Sequence, residues 1–210
     1  MTVNSNYTSA RTRRLTAVAG AVIAGALTLS ACSSDEGSAT GSSSTSVAAE
    51  ATFNTADVTF AQGMLPHHEQ AVEMAQLTEG RSTNAQVLDL ASRIEAAQGP
   101  EIKTLTEWLG DWGAESEDSG MGGMDHSGMA MGGMMSDEDM TSLEDASGTE
   151  FDRMWLEMMI EHHTGAVGMA ETEISDGEDT NAIAMAEDIK SSQNDEIQEM
   201  EQLLGALPQS

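Results

Sequence analysis

Met64-Leu65-Pro66-His67-His68, followed by Ala71-Val72 and Met74-Ala75, returns as Met159-Ile160-Glu161-His162-His163, followed by Ala166-Val167 and Met169-Ala170, at a constant offset of 95 residues. The same offset pairs Asp57 with Asp152, Phe60 with Trp155, Leu90 with Met185, Ile94 with Ile189, Gln98 with Gln193, and Glu101-Ile102 with Glu196-Ile197. A repeat sustained over that length describes two copies of one structural unit. Within a unit, apolar residues such as Leu90, Ile94, Ala97, Ile102, Leu105 and Leu109 recur every three or four positions with acids between them, and no period-two run competes. That is the pattern of amphipathic helices.

The spacing predicts helices near 55–79, 83–111, 149–175 and 180–206, with Gly80, Gly113 and Gly177 as stops. A short helix from Asp137 to Ala146, capped by Ser136 and ended near Gly148, is expected before the third. Pro100 should kink or divide the second helix, and Pro66 falls inside the first. The expected fold is all-α: a four-helix bundle made of two repeated helical hairpins, of ferritin-like type.

Outward from the repeat, Arg11, Arg13 and Arg14 precede an apolar run from Leu15 to Leu29 that is short for a membrane span and reads as an export signal. It ends in Leu29-Ser30-Ala31-Cys32, which resembles the bacterial lipobox, so residues 1–31 are read as a lipoprotein signal peptide and Cys32 as the lipidated residue. Cys32 is the single cysteine, which excludes an intramolecular disulfide. Residues 32–52, rich in Ser, Gly, Thr and Ala, read as a flexible tether, and 53–210 as the bundle with a methionine-rich loop at 113–136. The expected location is therefore extracytoplasmic, anchored to a bacterial membrane through the lipid. Beyond Cys32 the chain carries 36 acidic residues against five basic ones, a formal charge of −31. Such a surface repels nucleic acid and draws cations.

On a helix, residues three, four and seven apart share a face, so Met64, a histidine, Ala71 and Met74 can form one stripe, and Met159, a histidine, Ala166 and Met169 another. Adjacent histidines lie about 100° apart around the axis, so one of each pair should point into the bundle and the other to the side of the seam. Four of the five histidines belong to these pairs, and each pair has methionine at matched positions, which points to metal ligation by His67, His68, His162, His163, Met64, Met74, Met159 and Met169. The residue three before each histidine is Met64, Leu65, Gly123, Met159 or Ile160, never Glu, which argues against a carboxylate-bridged di-iron site. Without a second cysteine, and with thioethers in place of thiolates, zinc is disfavoured. Thioether and imidazole together suit Cu(I), with Ag(I) as a surrogate, and imidazole also accepts Cu(II).

Between the halves, Met121, Met124, His126, Met129, Met131, Met134 and Met135 lie in a glycine-spaced stretch that cannot form a packed helix face. It resembles the methionine and histidine segments of exported copper-resistance proteins, and all seven residues are read as candidate ligands. The segment from Phe151-Asp152-Arg153 through Met159-Ile160-Glu161-His162-His163-Thr164-Gly165-Ala166 to Gln193 and Glu196-Ile197, with its earlier copy, resembles the bacterial family known as domain of unknown function 305. The resemblance implies a ferritin-like bundle, exported, with copper binding and tolerance in some members. The first copy departs from the second in having Pro66 for Glu161 and Gln70 for Gly165, so equal metal affinity in the two halves is not implied.

Three functional classes follow. The leading expectation is a non-catalytic copper buffer or carrier, with a copper-handling protein as partner for transfer. A metal-dependent oxidase using the same histidines is the enzymatic alternative, although no acid-base pair or nucleophile stands out. A structural or interaction lipoprotein without metal is the third. Oligomeric state is not legible.

Overall fold

A computed structural model of the chain describes residues 52–114 and 132–208. The signal peptide and tether expected over 1–52, with Cys32, and the loop residues Met121, Met124, His126, Met129 and Met131 lie outside these, apart from Thr52 itself. Five helices follow in order: α1 (Thr55–Gln76), α2 (Ala85–Asp111), α3 (Asp137–Asp145), α4 (Gly148–Asp176) and α5 (Thr180–Ala206). Among the described residues there is no strand, and no helix is long and apolar enough to cross a membrane. The fold is all-α, with α1 and α2 forming one hairpin, α4 and α5 the other, and the hairpins meeting chiefly along α1 and α4.

The starts of α1, α2, α3 and α5 are set by side-chain caps, whereas Ser147 makes no side-chain cap bond at the start of α4. Asn54 accepts from the Ala56 and Asp57 N–H groups while Asp57 reaches back to the Asn54 N–H, and Ser136 and Asp139 do the same for α3. Asn84 and Asp179, repeat counterparts, each cap the second helix of their hairpin. Gly80 and Gly113, at φ of 77° and 65°, sit in the left-handed region just beyond α1 and α2, where glycine is least strained. Gly177 ends α4 differently. Its φ is −69°, and a Cβ there would run into the Glu173 backbone carbonyl as well as its side chain. Helix α2 runs unbroken through Pro100, so the proline does not divide it. The ring's missing N–H costs one helical hydrogen bond, and Pro100 is exposed, where water can serve the freed carbonyl.

The interior divides into two apolar clusters. One gathers Ala71, Met74, Leu90, Ile94, Met135, Leu143, Phe151, Trp155, Met159 and Met200. The other gathers Phe60, Met64, Leu105, Ala166, Ala170 and Ile189. Met64 therefore packs with the counterpart of Ala71, and Met159 packs with Ala71 itself, as expected for antiparallel α1 and α4 related by an approximate two-fold axis. The four paired histidines lie between the clusters in sequence and in space. At one end the Trp155 indole N–H donates to the Met74 carbonyl at 2.8 Å, serving an acceptor in the last turn of α1 and tying the hairpins together.

Candidate metal centre

All four paired histidines are buried, at 0% exposure for His67, His68 and His163 and 1% for His162. The inner member of each pair is the first: the rings of His67 and His162 meet across α1 and α4 with centroids 3.7 Å apart. The second member turns sideways, as the 100° step requires, but toward the other helix of its own hairpin and not toward solvent. There the His68 Nε2 lies 2.7 Å from the Glu101 carboxylate on α2, and the His163 Nε2 lies 2.8 Å from that of Glu196 on α5. Each carboxylate accepts from Nε2–H, which fixes the ring and leaves Nδ1 as the nitrogen free to bind.

Five ring nitrogens in this layer are buried with no hydrogen-bond partner among the described residues: Nδ1 of His67, His68 and His163, and both nitrogens of His162. A buried polar atom left unpaired costs about 1–3 kcal/mol, so concentrating five in one layer disfavours an arrangement that serves packing alone. Burial, then the neighbouring His68, lowers the pKa of His67 to about 4. Burial, then His67, lowers that of His162 to about 2. Both rings are thus neutral near pH 7 and offer lone pairs. Among the described residues no three His, Cys, Asp or Glu groups converge on one point.

The methionines flank the layer. Met64, Met74 and Met159 are fully buried; Met64 lies in one apolar cluster, Met74 and Met159 in the other. Met169 is half-buried against the first of these and lines a groove at the surface. From the loop, Met135 is buried with Met74 and Met159, and Met134 is half-buried. A thioether in such a position also fills core, so burial alone does not mark a ligand.

Glu101 and Glu196 are the candidate-site residues that sequence reasoning passed over. The signal was present: both recur at the repeat offset, and both stand 33 residues after the histidine they bind. In a chain with 36 acids a carboxylate on a helix reads as solvated surface, and only the register of α2 on α1 and of α5 on α4 turns these two inward.

The family model described as domain of unknown function (DUF305) matches residues 57–204. Among solved structures, a putative secreted DUF305 protein from Streptomyces coelicolor is similar at 32% identity and a TM-score of 0.64, covering 74% of this chain and 97% of that one. A DUF305 fragment from Deinococcus radiodurans is similar at 30% identity and 0.64, covering 73% and 98%. CopM in its Cu(II)-bound form is similar at 30% identity and 0.60, covering 71% and 95%, and CopM has also been solved in Cu(I)-bound and Ag-bound forms. Among curated proteins, none matches.

Proposed function

Because the chain belongs to the DUF305 family, and because its relative CopM takes up Cu(II), Cu(I) and Ag, we propose that it is an exported, lipid-anchored copper-binding protein that buffers or transfers copper. The observation that carries the proposal is the buried layer of four neutral or carboxylate-held imidazoles, five of whose ring nitrogens have no hydrogen-bond partner among the described residues. Copper is the cargo of this layer. His67 and His162, whose rings meet, supply the central donors, Nδ1 of His68 and His163 are separate lateral donors that do not converge with them on one point, and the buried thioethers of the same helices add soft ligands for Cu(I). Met121, Met124, His126, Met129 and Met131 contribute by their chemistry as a second, looser set of ligands.

Replacing His67, His68, His162 and His163 together with Ala is expected to abolish Cu(II) binding and weaken the tightest Cu(I) binding while the protein stays helical. Deleting 121–131 is expected to lower Cu(I) stoichiometry alone. Native mass spectrometry and circular dichroism on the same samples decide. A helical quadruple variant that binds both copper states as the parent does would show the histidines to be structural. The lipid anchor rests on Leu29-Ser30-Ala31-Cys32. Cys32→Ser is expected to end incorporation of labelled fatty acid, and continued labelling would remove the anchor from the proposal.

A further inference from the structure

Gln70 and Gly165, matched residues at one of the positions where the repeats diverge beside the histidines, face the same stretch of backbone. The Gln70 side-chain amide donates to the Met135 carbonyl at 2.9 Å, and the Met135 N–H donates to the Gln70 Oε1 at 2.8 Å, a closed pair of bonds. Three residues earlier the Gly132 carbonyl lies 3.3 Å from the His67 Nε2. On the opposite helix, a Cβ at Gly165 would run into that same Gly132 carbonyl. Gly133 has a φ of 86°, and a Cβ there would run into the α4 backbone at Glu161 and His162. The segment Gly132–Met135 thus spans the α1–α4 seam at the height of the histidines, bonded to one helix and lying directly on the backbone of the other.

The asymmetry has a mechanical reading. With Gln at both positions the second side chain would occupy the place of the Gly132 carbonyl, and with Gly at both the Met135 backbone would lose its two bonds. One amide and one missing side chain are what a segment crossing an otherwise symmetric seam requires. Beside it opens a groove of about 650 Å³ bordered by Gly132, Gly133, Glu161, Gly165, Gly168 and Met169, so displacing the segment opens the His67–His162 contact toward solvent on that side.

We infer that Gln70 and Gly165 are positioning residues that seat Gly132–Met135 as a cover over the histidine layer, and that metal reaches His67 and His162 when this cover lifts. The access role rests on the copper reading above; the seat does not.

The experiment compares the parent with Gln70→Gly, which copies the other repeat, and with Gly165→Ala. Amide hydrogen exchange of the metal-free proteins reads the seat at Met135, and stopped-flow quenching of tryptophan fluorescence by Cu(II) reads access. Losing both Gln70 bonds should speed Met135 exchange by about tenfold or more, each net hydrogen bond being worth roughly a factor of five. Cu(II) association should quicken in both variants while the helical dichroism holds. Unchanged Met135 exchange in Gln70→Gly overturns the seat. Faster exchange with an unchanged association rate overturns the access role. A parent that binds no Cu(II) overturns the copper reading and the access role with it, and the exchange comparison then judges the seat by itself.

Discussion

In the first hairpin His68 meets Glu101 at 2.7 Å, and in the second His163 meets Glu196 at 2.8 Å. The middles of the two repeats are near copies, whereas their ends are not. In the second hairpin Glu173 is 1% exposed beside Asp57, whose carboxylate accepts from the backbone N–H groups of Asn54, Glu178 and Asp179. The counterparts of Asp57, Glu173, Gly177 and Asp179 are Asp152, Thr78, Ser82 and Asn84, so the corresponding end of the first hairpin holds one acid among hydroxyls and an amide. Burial works against the Asp57 carboxylate, but its backbone donors and the Glu173 side chain pull its pKa below the ordinary value. Burial, then the neighbouring Asp57 carboxylate and the charge of Asp179, raise that of Glu173 to about 8. The difference teaches that the layer of His–Glu pairs constrains both halves alike. Each hairpin end needs only some set of polar groups able to satisfy a helix start.

The largest expected effect tests how the halves are joined. Trp155 and its counterpart Phe60 are both buried, but Trp155 alone carries the hydrogen bond to Met74. Truncating a buried aromatic ring costs about 3–5 kcal/mol, and Trp155→Ala should stand at the upper end because the Met74 carbonyl also loses its donor. Chemical denaturation midpoints of Trp155→Ala and Phe60→Ala make the comparison, and equal losses would mean that the indole bond contributes nothing.

The likeness of the middles is sharpened by Glu101→Ala and Glu196→Ala. Each leaves a buried imidazole N–H without its acceptor, at about 1–3 kcal/mol. The Glu101 side chain is 24% exposed and that of Glu196 is 15%, so water should soften the first loss slightly more. Denaturation of both variants should give similar values; a loss confined to one half would break the equivalence.

The unlikeness of the ends predicts a pH dependence. Because the Glu173 pKa is raised on folding from 4.5 to about 8, its stabilising contribution is fully present below about pH 4.5 and is lost as pH rises through about 8. Glu173→Gln removes this slope, so the variant should gain on the parent between about pH 5 and about pH 9 in parallel denaturation series. Thr78 does not titrate, and Thr78→Val should show no such pH-dependent gain. Parallel curves for Glu173→Gln and the parent would show that Glu173 carries no proton through folding.

The repeat, the five helices, the Ser136 cap and the histidine pairs were legible because each is written in the local spacing of residues. Helix periodicity reports which face of one element is apolar, and boundaries shifted by only two or three residues where turn chemistry at Thr78–Gly80 and the Asn84 cap intervened. The expectation that one histidine of each pair points inward and one sideways held for the same reason. What covers the sideways ring did not follow from periodicity. Glu101 and Glu196 become partners only through the register of one helix against another, Glu173 becomes a buried acid only where α1 and the start of α5 close over it, and Gly132–Met135 finds its place only because Gln70 and Gly165 face each other across the seam. Local sequence determined the elements and the histidine pairs of the candidate site. Contacts between residues far apart in the chain decided which nitrogens are left free and what lies over them.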